Sequence, residues 1–453
     1  MAFDWIAIAL GDLAWIAIAF GFGLLARLIG LPPLIGFLAA GFALNALGAF
    51  SGQMLEKFSD LGITLLLFTI GLKLDVRSLS RPQIWAVTSL HVVIVTALFG
   101  AGLFLLSMTG LPAFAELDVG TAALIAFALS FSSTVFVVKV LEERGETASL
   151  NGRIAIGVLI IQDIAAVLFL AISTAKMPSY WALLLIVLAI PLRPLLFYLL
   201  RRVGHGELLV LFGLELALGG AEVVELVQIK GDLGALLAGV LIASHPKADE
   251  LNKTMMGFKD LFLLGFFLSI GMSALPAAPD LLIALALVPL IFVKGGLFFL
   301  LFTRFRLRAR TSLLTSLNLT HYSEFGLIVA ALAASNGWIS YQWLVVLALA
   351  LSFSFVVAAL ANRFGDYIHE RWKLFWQKFQ TGCRLAYDRY IEMDGARVVV
   401  VGMGGVGSGT YDYLHKQFPG NVTGVDIDPF TVRDHLEQGR DVILGDPSDP
   451  DFW

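Results

Sequence analysis

The chain has 453 residues, 58% hydrophobic and 15% charged, with a formal net charge of -4. A soluble globular protein carries about 25% charged residues, so the composition excludes an ordinary soluble fold and points to a polytopic membrane protein. A single cysteine, Cys383, excludes an intramolecular disulfide framework.

The first apolar run, from Trp5, lacks a basic leader and a small-residue cleavage site, so it reads as a retained helix and not a removed signal peptide. Thirteen candidate spans follow at 5–29, 33–48, 55–72, 83–107, 120–141, 153–175, 180–200, 207–227, 229–244, 258–273, 280–302, 311–334 and 341–361. Alternate loops carry Arg27; Lys73, Arg77 and Arg81; Lys139, Arg144 and Arg153; Arg193, Arg201 and Arg202; Lys247, Lys253 and Lys259; and Arg304, Arg306, Arg308 and Arg310. The intervening loops carry only Lys57, Lys176 and Lys230, which makes seventeen basic residues against three. The positive-inside rule then puts the N-terminus outside and the C-terminal tail in the cytoplasm, as expected for a bacterial inner membrane protein.

The third span matches the tenth at an offset of 200 without gaps: Phe58-Ser59-Asp60-Leu61 through Ile70-Gly71-Leu72 against Phe258-Lys259-Asp260-Leu261 through Ile270-Gly271-Met272. Upstream, Gly36 to Gly41 resembles Gly234 to Gly239. The copies are seven places apart in span order, third and tenth, so they cross in opposite directions, the pattern of inverted-repeat secondary transporters. The fifth span should then pair with the twelfth. Both carry polar residues at mid-span, Ser130 to Thr134 and Asn318 to Glu324. These mark either broken helices or ordinary helices whose hydroxyls bond back to the preceding turn.

Asp163 lies in the sixth span, inside the apolar stretch from Ile154 to Ile172, with Gln162 beside it. It is ten residues from Arg153. At about 1.5 Å per residue that is roughly 15 Å, half of a hydrocarbon core about 30 Å thick. An ionised side chain at that depth is costly and is a functional-site candidate by default. Lys294, ten residues from Arg304 in the eleventh span, lies at a similar depth. It is either a partner of Asp163 or a counter-charge that holds helices together. Glu324 would neutralise the positive ends of half-helices at the second break. His321 reads as a hydrogen-bonding partner and His91 as a buried, satisfied histidine. Asp12, Glu215, Glu222 and Glu225 read as packing or vestibule residues.

After the last span, Trp372, Phe375, Trp376 and Phe379 form a helical stripe in residues 362–394. It would lie on the inner leaflet or pack on protein. Arg397 to Val401 then reads as a buried strand entering Gly402-Met403-Gly404-Gly405-Val406-Gly407 and a helix. A second strand ends at Asp426, 24 positions after Gly402, and a third runs into Gly445-Asp446. This is the setting in which Gly402, Gly404, Gly405, Val406 and Gly407 cradle phosphates while Asp426 holds ribose hydroxyls. The chain stops after about half of such a domain. It is therefore expected either to be a fragment or to carry a reduced nucleotide domain.

Together these motifs resemble the Kef potassium/proton antiporters of the monovalent cation:proton antiporter-2 family. Ile161-Gln162-Asp163-Ile164-Ala165 is similar to the family's ion-site motif, and Ala128 to Thr134 to its crossing helix. Lys294 matches its membrane lysine, and Ser323-Glu324-Phe325 the Glu-Phe motif of its second broken helix. The tail resembles the start of a KTN/RCK nucleotide-binding domain, with Asp446 at the third-strand position.

The resemblance implies an all-α Na+/H+ antiporter-like fold with thirteen transmembrane helices and two crossing broken helices, followed by a partial Rossmann-like α/β domain. Residues 1–361 would form the exchanger domain, 362–394 the linker and 395–453 the nucleotide domain. Spans 1–3 and 8–10 would form the dimerisation domain of a homodimer. Spans 4–6 and 11–13 would form a mobile core, with the seventh as connector. The implied function is antiport of K+, or alternatively Na+, against H+ at Asp163, Gln162, Ser132, Ser133 and Thr134, with Lys294 and Glu324 balancing charge. No cofactor is expected for transport, and AMP or NAD(H) would regulate. Membrane lipids are expected neighbours, nucleic acid is not an expected partner, and no enzymatic activity is expected. A nucleotide-gated K+ channel is a further alternative, although the chain has no T-V-G-Y-G filter. The loop Ser244 to Leu251 departs from the Kef regulatory motif, so the likeness does not extend to glutathione gating.

Overall fold

The computed structural model describes residues 4–49, 53–73, 81–115, 117–147, 149–173, 181–227, 231–382, 385 and 397–445. Asp446, Cys383, Arg77, Lys176 and Lys230 lie outside the described residues, as does the side chain of Asp12. The helices are α1 (Asp4–Leu28), α2 (Pro33–Ala46), α3 (Gln53–Lys73), α4 (Pro82–Ser107), α5 (Val119–Ser130), α6 (Thr134–Glu143), α7 (Leu150–Ser173), α8 (Trp181–Arg202), α9 (Glu207–Glu225), α10 (Gly231–Ile242), α11 (Ala248–Ser273), α12 (Ala278–Leu287), α13 (Leu290–Arg304), α14 (Ala309–Asn318), α15 (Glu324–Ser335) and α16 (Tyr341–Arg363). The tail adds α17 (Gly365–Arg371), α18 (Lys373–Gln377), β1 (Val398–Val401), α19 (Gly405–Gln417), β2 (Val422–Asp426), α20 (Pro429–Glu437) and β3 (Val442–Leu444).

Each stretch read as a span falls on one helix or on two in series. Among the described residues, the segments 82–107, 119–143, 150–173, 248–273, 278–304 and 341–363 are long and apolar enough to cross a membrane. Local chemistry sets several starts. Pro33 and Pro82 open α2 and α4 at positions where no backbone donor is needed. The Asp118 carboxylate caps α5 by accepting from the Thr121 amide at 2.7 Å. Pro289 separates α12 from α13, as its missing N–H and ring require.

The described residues fall into two compact units. The first comprises 1–136, 157–294 and 320–360. Its frame is α3 against α11, and glycine makes their approach possible. A Cβ on Gly62 would stand 2.8 Å from the Phe262 carbonyl carbon, and one on Gly265 would stand 2.9 Å from the Ser59 nitrogen. Residues early in α3 thus meet residues late in α11, so the two helices are antiparallel. Gly41 on α2 packs on Gly271 of α11, 2.7 Å from its would-be Cβ, and Gly71 on α3 packs on Gly239 of α10 at 3.0 Å. Under the repeat, Gly71 corresponds to Gly271 and Gly41 to Gly239, so the second contact is the two-fold mate of the first.

The second unit comprises 137–156, 295–319 and 361–453. In it Asp366 on α17 receives Arg310 at 3.0 Å through one carboxylate oxygen and Arg144 through the other. Arg144 also donates to the Asn362 carbonyl at 3.2 Å, and Asn362 donates to the Leu317 carbonyl at 3.0 Å. Part of the linker stripe packs on protein: Trp376 and Phe379 stand edge-on to Phe299, at centroid distances of 5.2 and 5.8 Å, while Trp372 and Phe375 are exposed. Trp372 stands at the junction of α17 and α18, Phe375 and Trp376 lie in α18, and Phe379 follows it. Beyond it, β1, β2 and β3 form a parallel sheet in that order, the strand arrangement of half a dinucleotide fold.

The glycine contacts give a direct test. Gly71→Val places branched carbons against the α10 backbone, and overpacking of this kind costs about 1–3 kcal/mol. We expect a lower thermal unfolding midpoint for purified protein in detergent, with the same fall for Gly239→Val.

Candidate functional site

Asp163 sits on α7 with 4% of its surface exposed. Its Oδ2 accepts from the Thr134 hydroxyl at 3.3 Å. Thr134 is the first residue of α6, across the break that separates α5 from α6 at Phe131–Ser133. Broken helices leave amides and carbonyls without partners, and a buried unpaired group costs roughly 1–3 kcal/mol. The residues around Asp163 satisfy these groups one by one.

Gln162 braces the first break with both ends of its amide. Its Oε1 accepts from the Ser132 amide at 2.8 Å and its Nε2 donates to the Ser130 carbonyl at 3.2 Å. The Ser133 amide donates to His321 Nδ1 at 3.1 Å. The same Nδ1 lies 3.0 Å from the Tyr322 carbonyl oxygen, a contact that needs the proton on Nδ1 instead. His321 belongs to the second break, between α14 and α15, so its contact with Ser133 ties the two breaks together. The two half-helices also touch directly, since a Cβ on Gly326 would stand 2.2 Å from the Ala128 carbonyl oxygen.

Lys294 completes the crossing. It is fully buried, and its ammonium donates to the Phe131 carbonyl in the first break and to the His321 carbonyl in the second, the latter at 2.7 Å. It also stands 5.6 Å from the centroid of the Tyr322 ring. Of the two sequence readings, the contacts are those of a counter-charge that holds helices together. Among the described residues there is no ion pair between Lys294 and Asp163. His91 from α4 bonds the Lys294 carbonyl at 3.2 Å.

Glu324 opens α15 with 1% of its surface exposed, at the end where helix amides carry partial positive charge. Ser323 caps the same helix by accepting from the Phe325 amide at 3.0 Å. Both carboxylate oxygens of Glu324 lack a hydrogen-bond partner among the described residues, while Asp163 and Ser133 lie within electrostatic reach. The structure therefore gathers Asp163, Gln162, Ser132, Ser133, Thr134, Lys294 and Glu324 around one crossing. Sequence reasoning missed Tyr322, whose hydroxyl donates to the Leu287 carbonyl at 2.6 Å, where Pro289 interrupts the eleventh span. Pro289 itself was the available signal.

In the tail, Gly402 adopts φ +83°, and a Cβ on Gly407 would stand 1.6 Å from the Gly402 oxygen, so only glycine fits there. Gly404 precedes α19 and Gly405 opens it, while Val406 is exposed. The Asp426 carboxylate accepts from the amides of Met403 at 2.7 Å and Asp428 at 2.8 Å. It thus fixes the glycine-rich turn against the end of β2. The start of α19 carries no side-chain cap, the setting in which helix amides can meet a phosphate.

Residues 16–363 match the family described as "Sodium/hydrogen exchanger, transmembrane", and the chain belongs to that family. Residues 398–453 match the TrkA-N domain. Among curated relatives, KefC of Enterobacter sp. (strain 638), a glutathione-regulated potassium-efflux system protein, is 29% identical over 73% of this chain and 56% of its own length. A putative K(+) efflux antiporter KefB of Alkalimonas amylolytica is 28% identical over 93% of this chain and 66% of its own. KefC of Salmonella schwarzengrund is 28% identical over 94% and 69%. The match thus spans 56 to 69% of the length of these relatives. The sodium proton antiporter MjNhaP1 from Methanocaldococcus jannaschii, solved at pH 8, superposes with a TM-score of 0.53 at 15% identity, over 81% of this chain and 99% of that one. The fold is therefore that of a Na+/H+ antiporter, and the resemblance to Kef proteins holds.

Two outcomes follow from the geometry. Lys294→Met leaves the Phe131 and His321 carbonyls unpaired, at about 1–3 kcal/mol each. A clear fall in thermal stability is expected, larger than for Gln162→Glu, which keeps one acceptor. In the tail, Arg440 holds the Asp412 carboxyl below its ordinary value of 3.8, and the hydroxyl and amide of Thr431 do the same for Asp428. A depressed folded-state pKa stabilises above the unfolded value and is lost as pH falls through the folded one. Limited proteolysis should therefore find the tail opening below about pH 4.

Proposed function

We propose that the protein exchanges a monovalent cation, K+ in the first place, for H+ across the membrane by alternating access, with Asp163 as the shared site. The observation that carries this reading is a buried carboxylate facing the break between two half-helices. A proton or a partly dehydrated cation neutralises that carboxylate, but both at once are not needed. Competition for one charge converts binding into exchange. One acidic residue in the Gln162-Asp163 motif, and not an adjacent carboxylate pair, fits one-for-one stoichiometry.

The polar atoms beside Asp163 suit this role. Thr134 offers hydroxyl lone pairs, and Ser132 and Ser133 line the same break. Gln162 holds the break open at fixed geometry. Lys294 offsets the negative carbonyl ends of the half-helices and Glu324 the positive start of α15, so the crossing stays in place whichever ion Asp163 holds. The choice of K+ rests on the Kef-named relatives. In the full assembly we place spans 1–3 and 8–10 in a homodimer interface, the remaining core against them, and the tail in the cytoplasm. There the glycine-rich turn would bind AMP or NAD(H) and regulate transport. The linker offers a path for that regulation, because Asp366 binds an arginine next to the end of α6 and another on α14.

Reconstituted vesicles test the reading. Asp163→Asn is expected to abolish cation-dependent proton movement, by about 10²-fold or more, as for loss of an essential proton-transfer group. Full activity in this variant contradicts the assignment. A channel would instead pass K+ current without moving protons, and replacing K+ by Na+ in the same assay reports the preferred cation.

A further inference from the structure

The tail holds a histidine that the transport reading does not use. His435 lies in the last turn of α20 with 9% of its surface exposed. Its Nε2 stands 2.7 Å from the Met403 carbonyl oxygen in the glycine-rich turn, and its Nδ1 stands 2.7 Å from Arg440 Nη1. A carbonyl only accepts and a guanidinium only donates, so the two partners together fix the ring. Nε2 carries the proton, Nδ1 offers its lone pair, and the imidazole is neutral. A second proton has no acceptor. It would set Nδ1–H against the N–H of a guanidinium that keeps its charge at any physiological pH. Arg440 has little freedom to withdraw, because Asp412 accepts from its Nε at 2.8 Å and its Nη2 at 2.9 Å, and Gln438 accepts from Nη1.

The bond to Met403 bears on the phosphate cradle. Met403 is held at both of its backbone groups: Asp426 Oδ2 accepts from its amide at 2.7 Å, and His435 donates to its carbonyl. The peptide unit that follows is planar and trans, so its C=O and the next N–H point to opposite sides. Drawing the Met403 carbonyl to His435 therefore turns the Gly404 N–H away from it. Gly404 is the N-cap residue of α19, at the uncapped helix start where amides can meet a phosphate.

We infer that His435 positions the glycine-rich turn for the pyrophosphate of a dinucleotide, and that its protonation loosens the turn, so affinity falls as the pH around the tail falls. The inference rests on the nucleotide reading of the turn and adds its regulation. Imidazole is the side chain whose charge changes between about pH 5 and 8. An exchanger that moves protons changes the quantity such a group reads. The surrounding charges do not take over this role. Arg440, Lys416 and His435 all act on Asp412, whose carboxyl is held below its ordinary value of 3.8 and stays ionised across that range. Asp426 is committed to two amides, and Asp441 accepts from the Thr423 hydroxyl at 2.7 Å. On α20 itself Asp434 adjoins His435, and Arg433 pairs with Glu437 at 3.0 Å. His415, on α19, stacks on Tyr411 at 5.5 Å.

The test is NAD+ binding to the purified full chain in detergent, measured by calorimetry at pH 8 and at pH 5.5. The pyrophosphate keeps its charge between these values, so the ligand does not titrate. The wild type is expected to bind about tenfold more weakly at pH 5.5, the factor that loss of one hydrogen bond supplies. His435→Gln offers a donor to Met403 and an acceptor to Arg440 but takes up no proton. Its affinity should stay near the wild-type pH 8 value at both pH values. His435→Leu should bind about tenfold more weakly at both, with an equally flat profile. Arg440→Met removes the like-charged neighbour and should flatten the profile too, and it carries the test if the His435 variants accumulate poorly. A wild-type Kd that is the same at both pH values, or a pH dependence that survives His435→Gln, overturns the inference and leaves the nucleotide site standing. Absence of NAD+ binding at both pH values removes the inference together with the dinucleotide reading of the turn.

Discussion

The lysine ammonium at the helix crossing is the interaction on which the rest depends. Two helices break at the same place, and their interruptions leave buried carbonyls that need a donor. Lys294 answers one carbonyl from each break with a single charged group. A charged donor makes a stronger bond than a neutral one, and it faces the ends of helices where partial negative charge collects. The same atom thus satisfies hydrogen bonds, offsets dipoles and fixes two elements to each other. Without it the crossing would hold unpaired polar groups in a space that excludes solvent, and Asp163 would lose the frame against which it is placed.

Around that bridge the polar residues divide into two kinds. Gln162, His321, Tyr322 and Ser323 spend their hydrogen bonds on the backbone at the breaks. Asp163 and Glu324 do not. Asp163 has only the Thr134 hydroxyl at 3.3 Å, and Glu324 has no hydrogen-bond partner among the described residues. A buried carboxylate with so few protein partners is suited to an exchangeable one, a proton or a cation. The division of labour explains why so many polar side chains are needed to support one exchangeable charge.

Much of this was legible before the structure. Asp163 and Lys294 stood out because charge in an apolar span is costly. The breaks at Phe131–Ser133 and between Asn318 and Glu324 fell where the polar runs were. The repeat predicted that the third and tenth spans run in opposite directions, as α3 and α11 do, and the glycine contacts Gly41–Gly271 and Gly71–Gly239 appear as mates. The strand–turn–helix register of the tail also followed from Val398 to Gly407. What the sequence did not reveal was partner choice. Depth left Lys294 open between a partner of Asp163 and a counter-charge between helices, and in the structure its Nζ bonds the Phe131 and His321 carbonyls. Gln162, expected as an oxygen ligand, bonds the Ser132 amide and the Ser130 carbonyl with the two ends of its own amide. The aromatic stripe of the linker fits a membrane surface as well as a protein one, and the structure shows Trp376 and Phe379 against Phe299 with Trp372 and Phe375 exposed.

The central claim is that a proton and a cation compete for one carboxylate at this crossing. The most direct measurement is the apparent KM for K+ in reconstituted vesicles as a function of pH on the same face. Competition predicts that KM rises about tenfold for each unit of acidification once the carboxyl binds protons, with the maximal rate restored by saturating cation. A KM that stays constant across the pH range in which proton movement changes would contradict the account.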